Sequence, residues 1–243
     1  MQSLIIFFFV VGVCSSAHLP STFQKCSRNK SDFRQCLVKA ADNCVSQLNH
    51  AIPSAGLINL EPLEIPFMFI PPGSGPTRFD QNYTDLKISG LTKTKFSTLD
   101  VDFDNKIIAT HFTIPELVLN FTYDVGGKIL VFPLSGHGPG LIILDQMVCN
   151  YTCHFEEYVK NGEKYFKITR SELLMQPNSV HYKLDNLFNG DEQLGTQINK
   201  VLNDNWSDLY ADVKSGYEEA YNKIFNSLFS IFFNRVPVSE LFG

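Results

Sequence analysis

The sequence predicts an α+β fold in which a long C-terminal helix is wrapped by a highly curved antiparallel β-sheet, with a shorter N-terminal helix. Three observations carry this. Apolar residues recur at three- and four-residue steps from Phe33 to Ile52 and again from Leu194 to Phe232. Between these stretches apolar and polar residues alternate with a period of two. The C-terminal stripe would make a helix of about forty residues, about 60 Å long at 1.5 Å per residue. A sheet that follows so long a helix makes an elongated body, and such a body can enclose a tunnel.

Residues 1–17, MQSLIIFFFVVGVCSSA, carry no charge, and an apolar run from Leu4 to Val13 precedes small residues at Ser15 and Ala17. This reads as a secretory signal peptide, since the run is too short to span a bilayer. A single domain is expected over residues 18–243. The first helix follows: Phe33, Leu37, Ala40, Ala41, Cys44, Val45, Leu48 and Ile52 share one stripe, with Ser31 or Asp32 as cap and Pro53 as stop. The proline-rich segment IPSAGLINLEPLEIPFMFIPPGSGP then reads as an extended crossing with one or two short strands.

In LDVDFDN, Leu99, Val101 and Phe103 alternate with Asp100, Asp102 and Asp104. The acids mimic the start of a calcium loop, but Asn105 stands where its glycine belongs and His111 where its bidentate glutamate belongs. The segment is a solvated strand face. LVLNFTYDVGGKILVFPLSG reads as a hairpin turning at Gly126-Gly127. That register pairs Tyr123 with Leu130, Phe121 with Phe132 and Leu119 with Leu134 on an inner apolar face, and leaves Asn120 outside. The same parity puts Gly136, Gly138 and Gly140 inside, where a missing side chain makes room for another backbone or a ligand. No helix N-terminus follows, so this is no phosphate loop. A second hairpin turns at Asn161-Gly162, pairing Glu156 with Lys167 and Phe155 with Ile168. The final helix is capped by Asp191 and runs to Pro237, with Gly216 as the expected kink.

The net charge of −5 and the lack of any basic run make nucleic acid and anionic membranes poor partners. Sequons at Asn29, Asn82, Asn120, Asn150 and Asn205 support the secretory route and are the expected glycosylation sites. In an oxidising compartment the cysteines default to disulfides. Cys26 and Cys36 are the natural pair, while Cys149 and Cys153 could pair only where the chain turns between them. Cys149-x-x-x-Cys153-His154 lacks a fourth zinc ligand, so neither metal nor cofactor is expected.

These landmarks, in this order, resemble the takeout / juvenile-hormone-binding protein family of insects. The residues that carry the resemblance are LPSTFQKC, the second cysteine in QCLVKA, IPSAGLINLEPLEIP, LKISGL, the G-x-G of PLSGHGPG, NLFNGDEQLG, LNDNW and VPVSELF. The resemblance implies a tubular lipid-binding (TULIP-like) fold whose tunnel carries juvenile hormone or other apolar small molecules. The hormone-binding subgroup usually has a second disulfide reaching the C-terminal half, and no cysteine follows Cys153. The chain is therefore takeout-like.

The expected function is that of a secreted, monomeric, non-enzymatic carrier of a terpenoid, fatty acid or similar lipid, without stable membrane insertion. Wall candidates are Leu37, Ala41, Val45 and Leu48 on the first helix. The strands offer Phe112, Ile114, Leu119, Phe121, Tyr123, Phe132 and Leu134, and the last helix Leu202, Leu209 and Val213. The Tyr123 hydroxyl is the candidate hydrogen-bonding group. An esterase finds no support, because G-x-S-x-G is absent and the histidines lack nucleophile and acid partners. The alternative is a partner-binding protein that docks through IFNSLFSIFF, residues 224–233, which otherwise forms the buried end of the last helix.

Overall fold

The computed structural model describes residues 18–243; the expected signal peptide, residues 1–17, lies outside the described residues. Eight strands form one antiparallel sheet: β1 (Leu63–Ile70), β2 (Thr77–Phe79), β3 (Gln81–Ser89), β4 (Lys95–Asp102), β5 (Ile107–Ile129), β6 (Phe132–Lys160), β7 (Glu163–Gln176) and β8 (Ser179–Leu184). Helix α1 (Phe33–Ser46) precedes the sheet, and α2 (Glu192–Asp204), α3 (Trp206–Phe233) and α4 (Val238–Leu241) follow it.

The spine of the sheet is the β5–β6 pair, 23 and 29 residues long against a usual strand of about five or six. Its register runs unbroken in parity from Ile107↔His154 to Ile129↔Phe132. At its middle Pro115, which has no N–H to donate, faces Gln146, whose φ is 45°. On one side of this point β5 takes β4 and β6 takes β7. On the other β5 takes β3 and β2, β3 takes β1, and β6 takes β8. The sheet is thus two half-sheets sharing two long strands, with the apolar face of both turned to the helices.

The exposed edges of these half-sheets are closed by polar side chains from the helices, which removes free ladder groups that would otherwise seek another chain. Asn203 accepts from the Tyr182 N–H and donates to the Tyr182 carbonyl, both at 2.8 Å, and Asn199 does the same for Leu184, both at 2.8 Å. Glu218 accepts from the Met175 N–H at 2.8 Å and Asn222 donates to the Ser171 carbonyl at 3.0 Å. Asp212 accepts from the N–H groups of Gly75 and Thr77, both at 2.7 Å, and Asp42 from that of Phe96 at 2.9 Å. Two of these sets are pairs four residues apart on one helix face.

Three details differ from the sequence reading. The first hairpin turns at Leu130-Val131, not at Gly126-Gly127, so Tyr123 faces Gly138, Phe121 faces Gly140 and Leu119 faces Ile142. The reason is β2: a Cβ on Gly127 would stand 2.5 Å from the Arg78 carbonyl oxygen, so this glycine admits a neighbouring strand. The C-terminal helix breaks at Asn205 (φ −116°, ψ 18°), and Gly216 lies inside α3. A Cβ there would meet Ile70 and Pro71 at 3.0 Å, so the glycine serves close approach to β1. Cys26 and Cys36 form a disulfide, but Cys44, Cys149 and Cys153 are free thiols. Cys149 and Cys153 lie in one continuous strand, about 13 Å apart at 3.3 Å per residue, beyond disulfide reach. The second hairpin has the expected register, Glu156↔Lys167 and Phe155↔Ile168.

Candidate functional site

Sheet and helices stand apart most in the β4–β7 half. There α1, the end of α3 and α4 line a cavity of 270 Å³. Its floor is Phe112 and Ile114 of β5 with Tyr151 and Cys153 of β6, which are inward residues by strand parity. Phe96 and Leu99 of β4 form one flank, and Leu228 and Phe232 of α3 line the helix side. The roof is α1, through Leu37, Ala41, Cys44 and Val45, with Leu48 just past its end. The segment ahead of α1 closes the end. Leu19 and Phe23 line the cavity, the Cys26 N–H donates to the Leu241 carbonyl at 3.3 Å, and the disulfide ties this strap to α1.

The lining is almost wholly apolar, so its few polar groups stand out. The Thr110 hydroxyl donates to the Thr98 carbonyl at 2.7 Å and is used up. Burial pushes the Cys153 thiol up to about 11 and the Cys44 thiol up to about 12, so both stay protonated at neutral pH. Tyr151 is 2% exposed, and burial raises its phenol too. Its neighbours are the Cys153 thiol and the side chain of Ser171, yet neither closes a well-aligned hydrogen bond, and the buried hydroxyl is left without a partner. An unsatisfied buried donor is costly.

The wall candidates expected from the sequence divide at Pro115. Leu37, Ala41, Val45, Leu48, Phe112 and Ile114 all line the cavity. Leu119 instead borders a void of only 10 Å³ in the other half, with Tyr182, Tyr210, Tyr217 and Tyr221. Phe121, Leu134, Leu202, Leu209 and Val213 are buried in solid core. Phe132 is 44% exposed beside the hairpin turn, because the turn falls four residues later than the glycine pair. Tyr123 is buried, but its hydroxyl donates to the Asp185 carbonyl at 2.6 Å. It fastens a crossing segment and is not a cavity group.

That crossing explains the glycines. Residues 185–187 pass over the inner face of β6: a Cβ on Gly138 would stand 2.7 Å from the Asp185 carbonyl oxygen, and one on Gly136 3.0 Å from Leu187. Gly140 accepts the Phe121 ring, 2.3 Å from its would-be Cβ. The stretch IFNSLFSIFF is the end of α3, with Phe225, Leu228, Phe229, Phe232 and Phe233 lining the cavity. Tyr151 is one of the cavity residues absent from the wall candidates, and it brings the unpartnered hydroxyl. Its signal was parity, since it sits between Cys149 and Cys153 on one strand face.

Comparison with known proteins agrees with this architecture. The family model described as haemolymph juvenile hormone binding protein matches residues 4–243. The circadian clock-controlled protein daywake of Drosophila melanogaster is 28% identical over 203 residues, which is 80% of this chain and 76% of that protein. Daywake of Drosophila yakuba is 27% identical over 201 residues, 79% of this chain and 76% of its own. The crystal structure of Epiphyas postvittana Takeout 1 superposes with a TM-score of 0.79 at 22% identity, over 90% of this chain and 99% of that one. The two share a fold.

Proposed function

The chain belongs to the haemolymph juvenile hormone binding protein family, and from that premise we propose that it is a secreted carrier of one apolar small molecule bearing a single oxygen function. The observation that carries this is the apolar cavity of 270 Å³ with one unpartnered buried hydroxyl in its wall. The volume is roughly twice that of engineered cavities that take up benzene, which suits a terpenoid or the chain of a fatty acid. Burying roughly 300 Å² of ligand hydrocarbon gives on the order of 7 kcal/mol gross at about 25 cal/mol per Å². Ordering costs reduce that, so the hydrocarbon alone supports an affinity of roughly tens of micromolar or weaker.

Tyr151 supplies the selectivity. A neutral phenol donates to an ester, carboxyl, carbonyl or alcohol oxygen, and here it does so without breaking a bond it already holds. The test has two parts. Organic extraction and mass spectrometry of the secreted protein should return one oxygenated lipid near stoichiometric yield. Tyr151→Phe should then weaken that ligand by about tenfold, one hydrogen bond's worth, and leave a hydrocarbon of equal length unaffected. Equal loss for both would remove the hydroxyl from the reading, and an empty extract with no uptake of fluorescent fatty acids would remove the carrier itself.

A further inference from the structure

The two β-hairpins of the sheet end differently. The β6–β7 hairpin turns on Asn161-Gly162, with φ of 53° and 81°, polar residues suited to a left-handed turn. The β5–β6 hairpin passes a glycine pair, continues through Lys128 and Ile129, and turns on Leu130-Val131. Leu130 takes φ 52°, a conformation disfavoured for a branched side chain. Val131 is 83% exposed, Phe132 44% and Leu130 36%. The fold thus places three large apolar side chains, in a disfavoured backbone, at the tip of its longest hairpin.

Charge stands directly behind that tip. Arg78 of β2 and Lys128 of β5 are cross-strand partners, both exposed, although they are 50 residues apart in sequence and form no basic run. Arg78 donates to the Gly75 carbonyl at 3.0 Å, which holds its guanidinium at this end. On the packed helix, Asp212 already accepts from Gly75 and Thr77. Three side chains are too few to bury the roughly 800 Å² that a stable protein partner needs on each side. They suit insertion among lipid chains, with two cations at the depth of the headgroups.

We propose that the Leu130–Phe132 tip docks the protein peripherally on an anionic lipid surface, the filled end of the tube towards the bilayer. Among the described residues no helix is long and apolar enough to cross a membrane, and none is needed. The inference is independent of the carrier reading. It is tested by flotation of the purified glycoprotein with vesicles of phosphatidylcholine, alone and with phosphatidylserine. The protein should float with the anionic vesicles in low salt and be released by high salt. Leu130→Asn with Val131→Gly installs the turn chemistry of the other hairpin. It should leave thermal stability equal or higher and cut retention by about tenfold. Arg78→Gln with Lys128→Gln should cut it several-fold and remove its salt dependence. Failure of the parent protein to float, equal retention on neutral vesicles, or undiminished retention of the turn variant would each overturn the proposal.

Discussion

On one side of Pro115 and Gln146 the long strands and α3 stand apart around 270 Å³; on the other, the same strands and the same helix close on 10 Å³. The backbone plan is common to both halves, so side chains make the difference. A single stripe of α3 shows it at four-residue steps: Val213, Tyr217 and Tyr221, then Phe225, Phe229 and Phe233. In the filled half Tyr83 and Tyr217 meet a polar partner, while the Tyr221 hydroxyl is buried without one. Tyr83 and Tyr217 lie hydroxyl to hydroxyl at 2.9 Å and both donate to Gln81 Oε1, at 2.7 and 2.8 Å. Phe121 folds over Gly140 and packs at a tilt against Tyr83, 4.2 Å between centroids. In the cavity half the phenylalanines rest on sheet aromatics, Phe225 on Phe112 at 6.3 Å and Phe229 on Tyr151 at 5.2 Å, and the helix that roofs the cavity offers only Ala41, Cys44 and Val45, too small to close the gap. A filled core and a cavity are two solutions of one scaffold, and a site for ligand is where complementarity was left incomplete.

The largest expected effect comes from adding volume to each half. Gly140→Val would drive a branched side chain into the Phe121 ring, and the filled half has nowhere to move it. Overpacking of this kind costs about 3 kcal/mol, read as a fall in the urea midpoint with unchanged slope. Ala41→Leu adds similar volume to the roof of the cavity and should cost nothing, or add about 1 kcal/mol of stability, while lowering ligand affinity at least tenfold. Equal destabilisation by both would mean that the cavity half is as tightly packed as its neighbour.

Removing polar groups sharpens the contrast at a smaller scale. Tyr217→Phe deletes a buried hydroxyl that donates to Gln81 and should cost about 1–2 kcal/mol with ligand affinity unchanged. Tyr151→Phe, which breaks no well-formed bond, should be neutral in stability and act on ligand alone. Crossed results, with stability lost at Tyr151 and affinity at Tyr217, would reverse the assignment of the two halves.

The period-two and period-3.6 patterns made the order of elements legible, because one face of each had to be buried. Parity alone also put Gly136, Gly138 and Gly140 inside and gave room as their purpose. What passes over them is a crossing by residues 185–187, a contact between segments about 50 residues apart that no local pattern encodes. The same limit applied to the hairpin. Gly126-Gly127 had the local chemistry of a turn, yet the needs of β2 claimed Gly127 and moved the turn four residues on. Within the site, the first-helix candidates and Phe112 and Ile114 were readable as an inward face. Inward pattern could not separate them from Leu119, Phe121 or Val213, since core and cavity walls are equally apolar. The division between the two depends on what stands opposite.

The thiols give the finest probe of that division. Cys44 and Cys153 line the cavity, whereas Cys149 is buried beside it without lining it, and burial holds the three near 12, 11 and 12 in that order. At pH 8 the thiolate fraction of each is then about one in a thousand or less, so a neutral maleimide should label the folded protein slowly and the unfolded chain at three sites. The sign of the pH dependence identifies the route. A reaction inside the native cavity should keep rising about tenfold per pH unit past the ordinary thiol value and level off only near pH 11. One that requires unfolding should level off near pH 9, because the exposed thiols are then already ionised. Bound ligand should slow Cys44 and Cys153 several-fold in the native route and leave Cys149 behind them both with and without it. If Cys149 is labelled as fast as Cys153, the floor of the cavity opens around β6 on the timescale of labelling, and the packing beside the cavity is as loose as its wall.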